Sequence, residues 1–144
     1  MFLFDEPVTE SLTNVSPDYL WYFLPIGYLT TIAIETIVLI FLLPPKLSLK
    51  QKILCGIWLT ACTYPVVVLV LPPLLMDYSR ALYLVVAETF APVGECLFFW
   101  LAFRGRQDFA KNVWTRSFIA IILANLASFG IGEILNYYRW FGLF

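Results

Sequence analysis

Four apolar runs constrain this chain more than any other feature. They cover roughly residues 17–43, 53–75, 81–103 and 117–138. A hydrocarbon core about 30 Å thick needs about 20 helical residues at 1.5 Å each. Every run meets that length, and none carries the polar stripe that a water-facing helix requires. The expected fold is therefore all-α: a polytopic protein with four transmembrane helices in an up-down bundle, preceded by a short acidic segment over residues 1–16. Composition argues against a soluble bundle. Hydrophobic residues make up 61% and charged residues 13% of the chain, against about 25% charged in soluble proteins.

The distribution of charge orients the helices. Lys46, Lys50 and Lys52 follow the first run, and Arg104, Arg106, Lys111 and Arg116 follow the third. The positive-inside rule assigns both loops to the cytoplasm and leaves the N- and C-termini outside. Tyr19, Trp21, Tyr22, Tyr78, Tyr137, Tyr138 and Trp140 then mark the outer interface, and Trp100 and Trp114 the inner one. The start of the chain is acidic and lacks a basic n-region, so it does not read as a signal peptide. The first helix is expected to begin at Ser16-Pro17-Asp18, a cap, a helix-start proline and an acid at the positive dipole end. The net charge of −1 offers no basic footprint for nucleic acid.

Four carboxylates interrupt the apolar runs: Glu35, Glu88, Glu95 and Glu133. A charge at the bilayer centre costs at least about 2.5–3.5 kcal/mol. These groups are therefore expected to be protonated, hydrogen-bonded or neutralised by a bound cation. Helix rise places Glu88 and Glu133 in an outer layer, Asn125 near mid-depth, and Glu95 and Glu35 in an inner layer. Together they form a candidate polar track for protons or ions, with interhelical glue as the competing role. Pro92 and Gly94 lie between Glu88 and Glu95. Proline removes an amide and clashes with the carbonyl four residues back, so a kink is expected there.

The fourth run carries small residues at every fourth position, Ala120, Ala124, Ser128 and Gly132. Such a stripe lets two helix backbones approach closely, in this chain or in a partner. A weak internal repeat is also visible. Glu35-Thr36 recurs as Glu88-Thr89, and Thr60 and Thr63 of the second run have the spacing of Asn125 and Ser128 in the fourth. This suggests two helical hairpins of the same orientation.

Much chemistry is excluded by what the sequence lacks. The chain has no histidine, and its three cysteines, Cys55, Cys62 and Cys96, have no metal-ligand spacing. No phosphate loop or hydrolase motif is present. No catalytic residue, metal site or cofactor is expected. Glu35, "AETFAPVGE" and "LANLASFGIGEIL" resemble small uncharacterised bacterial membrane proteins with an acidic third helix before an "ANLASF"-type fourth. The resemblance implies a bacterial cell (inner) membrane and carries no activity with it.

These features lead to an accessory or scaffold subunit, packed in the bilayer against other membrane subunits or copies of itself. The alternative is a proton- or cation-conducting carrier or channel using the intramembrane carboxylates, working as an oligomer. A membrane-embedded enzyme or lipid-handling protein has the least support.

Overall fold

The computed structural model describes residues 17–75 and 77–138, with side chains from residue 25 onward except that of residue 136. The acidic segment 1–16, the Ser16 cap and the aromatic residues Tyr19, Trp21, Tyr22 and Trp140 lie outside the described residues or side chains. Four helices are each long and apolar enough to cross a membrane, and no strand occurs among the described residues. They are α1 (Pro17–Leu42), α2 (Leu49–Leu75), α3 (Arg80–Phe103) and α4 (Lys111–Tyr137).

Two helices begin earlier than their apolar runs. At α2, Ser48 accepts from the Gln51 amide while the Gln51 side chain accepts from the Ser48 amide. This reciprocal cap satisfies two otherwise orphaned donors and draws the polar residues Lys50–Lys52 into the helix. The first turns of α4 likewise absorb Lys111–Arg116.

The basic residues of the loops have structural work at the end of α1. Lys52 Nζ donates to the carbonyls of Ile40 (2.9 Å) and Leu43 (2.8 Å), and Arg116 Nε donates to that of Leu42 (2.9 Å). These are the last carbonyls of the helix, which have no intrahelical partner and sit at its negative dipole end. Lys46 Nζ reaches the Asp108 carbonyl at 2.7 Å and joins the two basic loops.

The helices form a ring in which each packs on its two sequence neighbours and α4 returns to α1. α1 and α3 therefore face each other diagonally, as do α2 and α4. α1 is packed along much more of α4 than α3 is. The close α1–α2 approach depends on Gly56. A Cβ there would overlap Thr36 Oγ1 and lie 2.8 Å from the Thr36 Cα.

Packing is uneven along the bundle axis. Leu39, Leu43, Leu59, Phe99, Ile121 and Ala124, all near the basic-loop end or the middle, are sealed from solvent. Phe99 stands within 4.6 Å of Phe103, 6.0 Å of Trp114 and 6.5 Å of Phe109, ring centre to ring centre. Toward the other end only Ala87 is buried among the described apolar residues. There α2 departs from α geometry: Pro65 is followed by a π-helical stretch, Val66–Val70. Proline cannot supply the amide that a regular ladder needs, and one-turn π segments are a common consequence of such a break. The Val67 carbonyl in this stretch accepts from the Tyr83 hydroxyl of α3 at 3.1 Å.

The expected kink in α3 does not interrupt that helix, which runs unbroken through Pro92 and Gly94. Gly94 has a packing role instead: a Cβ there would meet Thr63 Cγ2 of α2 at 3.2 Å. The small-residue stripe of α4 is split in use. Ala120 and Ala124 are fully buried inside this chain, whereas a Cβ on Gly132 would touch nothing.

Candidate functional site: a buried carboxyl pair beneath a cleft

Two carboxyl groups meet at the centre of the ring. Glu35 comes from α1 and Glu95 from the diagonal helix α3, and they are 3% and 1% exposed. Neither has a cationic partner among the described residues. Burying a charge without compensation is costly, so the polar groups around them carry the argument.

Those groups come from α2 and α4, two from each. Glu35 accepts from the Thr60 hydroxyl at 2.6 Å and the Ser128 hydroxyl at 2.8 Å. Glu95 accepts from the Thr63 hydroxyl at 3.0 Å and the Asn125 amide at 2.7 Å. Each supporting helix therefore gives one partner to each carboxyl, from positions three residues apart. That spacing puts both groups on one helix face.

The internal repeat runs through this site, in a different register from the Glu-Thr match in the sequence. The counterpart of Glu35 is Glu95, not Glu88. A shift of 60 residues carries Glu35 onto Glu95 and Leu39 onto Phe99; a shift of 65 carries Cys55, Leu59, Thr60 and Thr63 onto Ala120, Ala124, Asn125 and Ser128. All of these but Ser128, which is partly buried, lie in the interior. The bonds obey the same relation: Glu35–Thr60 corresponds to Glu95–Asn125 within a hairpin, and Ser128–Glu35 to Thr63–Glu95 between hairpins. A pseudo-two-fold axis thus passes along the bundle between the carboxyls, as in parallel repeats.

The pair forms the floor of a cleft of about 110 Å³, whose walls include Thr31, Tyr64, Val67, Glu88 and Phe129. This space admits a few water molecules and has the polar lining they need. Below the floor, Phe99, one turn beyond Glu95, closes the bundle. The cleft therefore ends blind on the basic-loop side.

The remaining track residues fall in different places. Asn125 is not a separate mid-depth layer, because it bonds Glu95 directly. Glu88 is half-buried in the cleft wall and makes no hydrogen bond among the described residues. Pro92 also deprives the Glu88 carbonyl of its helical donor. Glu133 lies off the track: Arg80 at the start of α3 pairs with it at 3.2 Å, with both side chains about two-fifths exposed. Such an exposed pair contributes at most about 1 kcal/mol. Sequence reasoning missed Arg80 as a partner, and missed Thr60, Thr63 and Ser128 as carboxyl-binding groups. The three-residue spacing shared by α2 and α4 was the available signal, because it implies polar pairs on matching faces.

The chemistry open to the site is narrow. Among the described residues no group of three or more His, Cys, Asp or Glu side chains could hold a metal ion. Each hydroxyl in the network has a second acceptor on its own helix: Gly56 O for Thr60 (2.7 Å), Leu59 O for Thr63 (3.2 Å) and Asn125 O for Ser128 (2.9 Å). A hydroxyl has one proton to donate and can also accept. Each can therefore donate to an ionised carboxylate, or turn to the backbone and accept from a protonated one. The site accommodates gain and loss of a proton by hydroxyl rotation, with no heavy atom displaced. The chain matches no family model, no curated protein and no solved structure.

Proposed function

We propose that the protein is a small multipass membrane carrier that takes up and releases protons at the Glu35–Glu95 pair. One observation carries this reading: two buried carboxyls with no counter-charge among the described residues, held by three rotatable hydroxyls and an amide at the foot of a polar cleft. A pair serving only as interhelical glue needs neither the cleft nor partners suited to both protonation states. The apolar outer faces, with Leu29, Phe41, Leu54, Leu74 and Val85 exposed, support burial in lipid. The basic loops support a cytoplasmic position for the closed end, which leaves both termini and the cleft facing outward across a bacterial cell membrane. Net transport requires the aromatic floor to open in a second state. α3, which carries Glu88 and Glu95 and packs less on α4 than α1 does, is the helix best placed to move.

The accessory-subunit reading keeps one observation in its favour. A Cβ added at Gly130 or Gly132 of α4 would meet nothing within 4 Å among the described residues, and a small-residue surface of that kind suits a partner helix or a second copy. Reconstitution separates the readings. Proteoliposomes holding a pH-sensitive dye should acidify or alkalinise with an imposed gradient, and Glu35→Gln and Glu95→Gln should each abolish the flux while expression is retained. Flux unchanged in both variants, or absent from folded wild-type protein, refutes the carrier. Loss of a co-purifying membrane subunit on Gly132→Leu, with no wild-type flux, would establish the accessory role.

A further inference from the structure

The pseudo-two-fold axis relates the two carboxyls, but their surroundings differ at one position. Thr60 of α2 corresponds to Asn125 of α4, so an amide stands where symmetry calls for a hydroxyl. The orientation of that amide is fixed. Asn125 Nδ2 lies 2.7 Å from Glu95 Oε2 and 3.1 Å from the Ile121 carbonyl. Exchanging nitrogen for oxygen would set two carbonyl oxygens against each other, so the donor assignment follows from the contacts. An amide NH₂ donates and never accepts. Glu95 Oε2 is consequently a permanent acceptor, and any proton on Glu95 must sit on Oε1, facing Thr63.

Glu35 has no such fixed donor. To hold it as an anion, Thr60 and Ser128 must both turn away from backbone acceptors at 2.7 and 2.9 Å. To hold Glu95 as an anion, only Thr63 must turn, and its backbone acceptor is the most distant of the three at 3.2 Å. Glu35 can also carry a proton on either oxygen, whereas Glu95 can carry it on one. Glu88 faces the pair from the cleft wall. The other titratable groups about the pair are the thiols of Cys62 and Cys96, beside Glu95, and the Tyr64 phenol in the cleft wall. α4 contributes no titratable group there.

We infer that when the pair holds a single proton, Glu35 carries it and Glu95 is the anion, and that Asn125 is the positioning residue that imposes this order. Resting on the proton-carrier reading, this makes Glu95 the group that releases first and Glu35 the group that retains its proton through the intermediate state. The two related halves of the molecule thus have unequal roles.

The order is read from the carboxylic-acid C=O stretch, followed by infrared spectroscopy against pH on the full chain in liposomes. Beyond the titration of Glu88 and the exposed acids, two steps from the pair are expected in the wild type. Glu95→Gln should remove the step at lower pH and Glu35→Gln the step at higher pH. Asn125→Thr restores the symmetric hydroxyl and should draw the two steps together, while the melting temperature in detergent stays near wild type. Asn125→Gln keeps the amide donor and should retain the separation of the steps. Reversed loss in the two glutamine variants, two unchanged steps in Asn125→Thr, or no titration at all overturns the inference. Flux decides the carrier separately: two ordered steps without flux leave the assignment standing and sink the carrier.

Discussion

Replacing Gly56 with alanine tests whether a close backbone approach holds the site together. The added Cβ would overlap Thr36 Oγ1 and stand 2.8 Å from Thr36 Cα and 2.9 Å from its Cβ. The hydroxyl can rotate, but the Cα belongs to the backbone of α1. Ordinary carbon–carbon contact lies at about 3.5–4.0 Å, so the helices must separate by about 0.7 Å or more. Thr60 is one turn along α2 from Gly56 and bonds Glu35 at 2.6 Å. The same separation carries that bond past about 3.2 Å, the edge of useful geometry. Overpacking of this kind costs about 1–3 kcal/mol. Gly132→Ala is the matched control, because nothing lies within 4 Å of its added Cβ. Both substitutions gain about 1 kcal/mol of helix propensity, which cancels when they are compared. Unfolding by SDS titration in mixed micelles should therefore find Gly56→Ala less stable than Gly132→Ala by about 1–3 kcal/mol. Gly56→Ala should also weaken the infrared signature of hydrogen bonding at Glu35. Equal stabilities, or a Gly132 variant that loses more, would refute the claim that α1 and α2 are locked at Thr36–Gly56.

Two further outcomes are expected. Phe99→Ala empties a fully buried site ringed by Phe103, Phe109 and Trp114 and should cost about 3–5 kcal/mol in the same titration; a loss under 1 kcal/mol would mean that the cleft floor is not closely packed. In the loop between α3 and α4, a hydrogen bond from Arg106 holds the Asp108 carboxyl below its ordinary range. A lowered acid pKa ties the loop above that range and releases it as pH falls through the bound value, so acidification should raise the intrinsic-rate-corrected hydrogen exchange of the Phe109 amide. Asp108→Asn should show the fast exchange already at neutral pH, and indifference to both changes would refute the tie.

The helices were legible in the sequence because their signal is long and one-dimensional. About twenty apolar residues in a row can satisfy their backbone in few other ways. Their starts were less legible, since Ser48 and Gln51 extend α2 through polar residues that hydropathy assigns to a loop. The carboxyls were legible as anomalies, and helix rise put Glu35 and Glu95 at one depth. Their partners were not. Thr60 and Thr63 look like ordinary small polar residues in a membrane helix, and Ser128 fits a packing stripe equally well. Only the ring order of the helices, with α1 and α3 on a diagonal, aims all four partners at the two acids.

The misread repeat shows why local likeness is a weak guide to register. Glu-Thr at 35–36 and 88–89 matches by identity, but the bundle aligns residues by depth and by face. Glu88 stands seven residues before Glu95, nearly the same face about 10.5 Å away along the axis. The two acids of α3 therefore look interchangeable from the chain alone. Burial separates them: Glu95 is 1% exposed and doubly bonded, while Glu88 is half-buried in the cleft wall. Depth also gives them different chemistry. An acid sealed between hydroxyls and an amide holds a proton under the control of its neighbours, and one at the cleft wall exchanges with whatever fills the cleft. Duplication would yield two equivalent buried acids and nothing above them. On the proposed carrier reading, Asn125 in place of a hydroxyl and the carboxyl of Glu88 distinguish the two halves and give the sites an order.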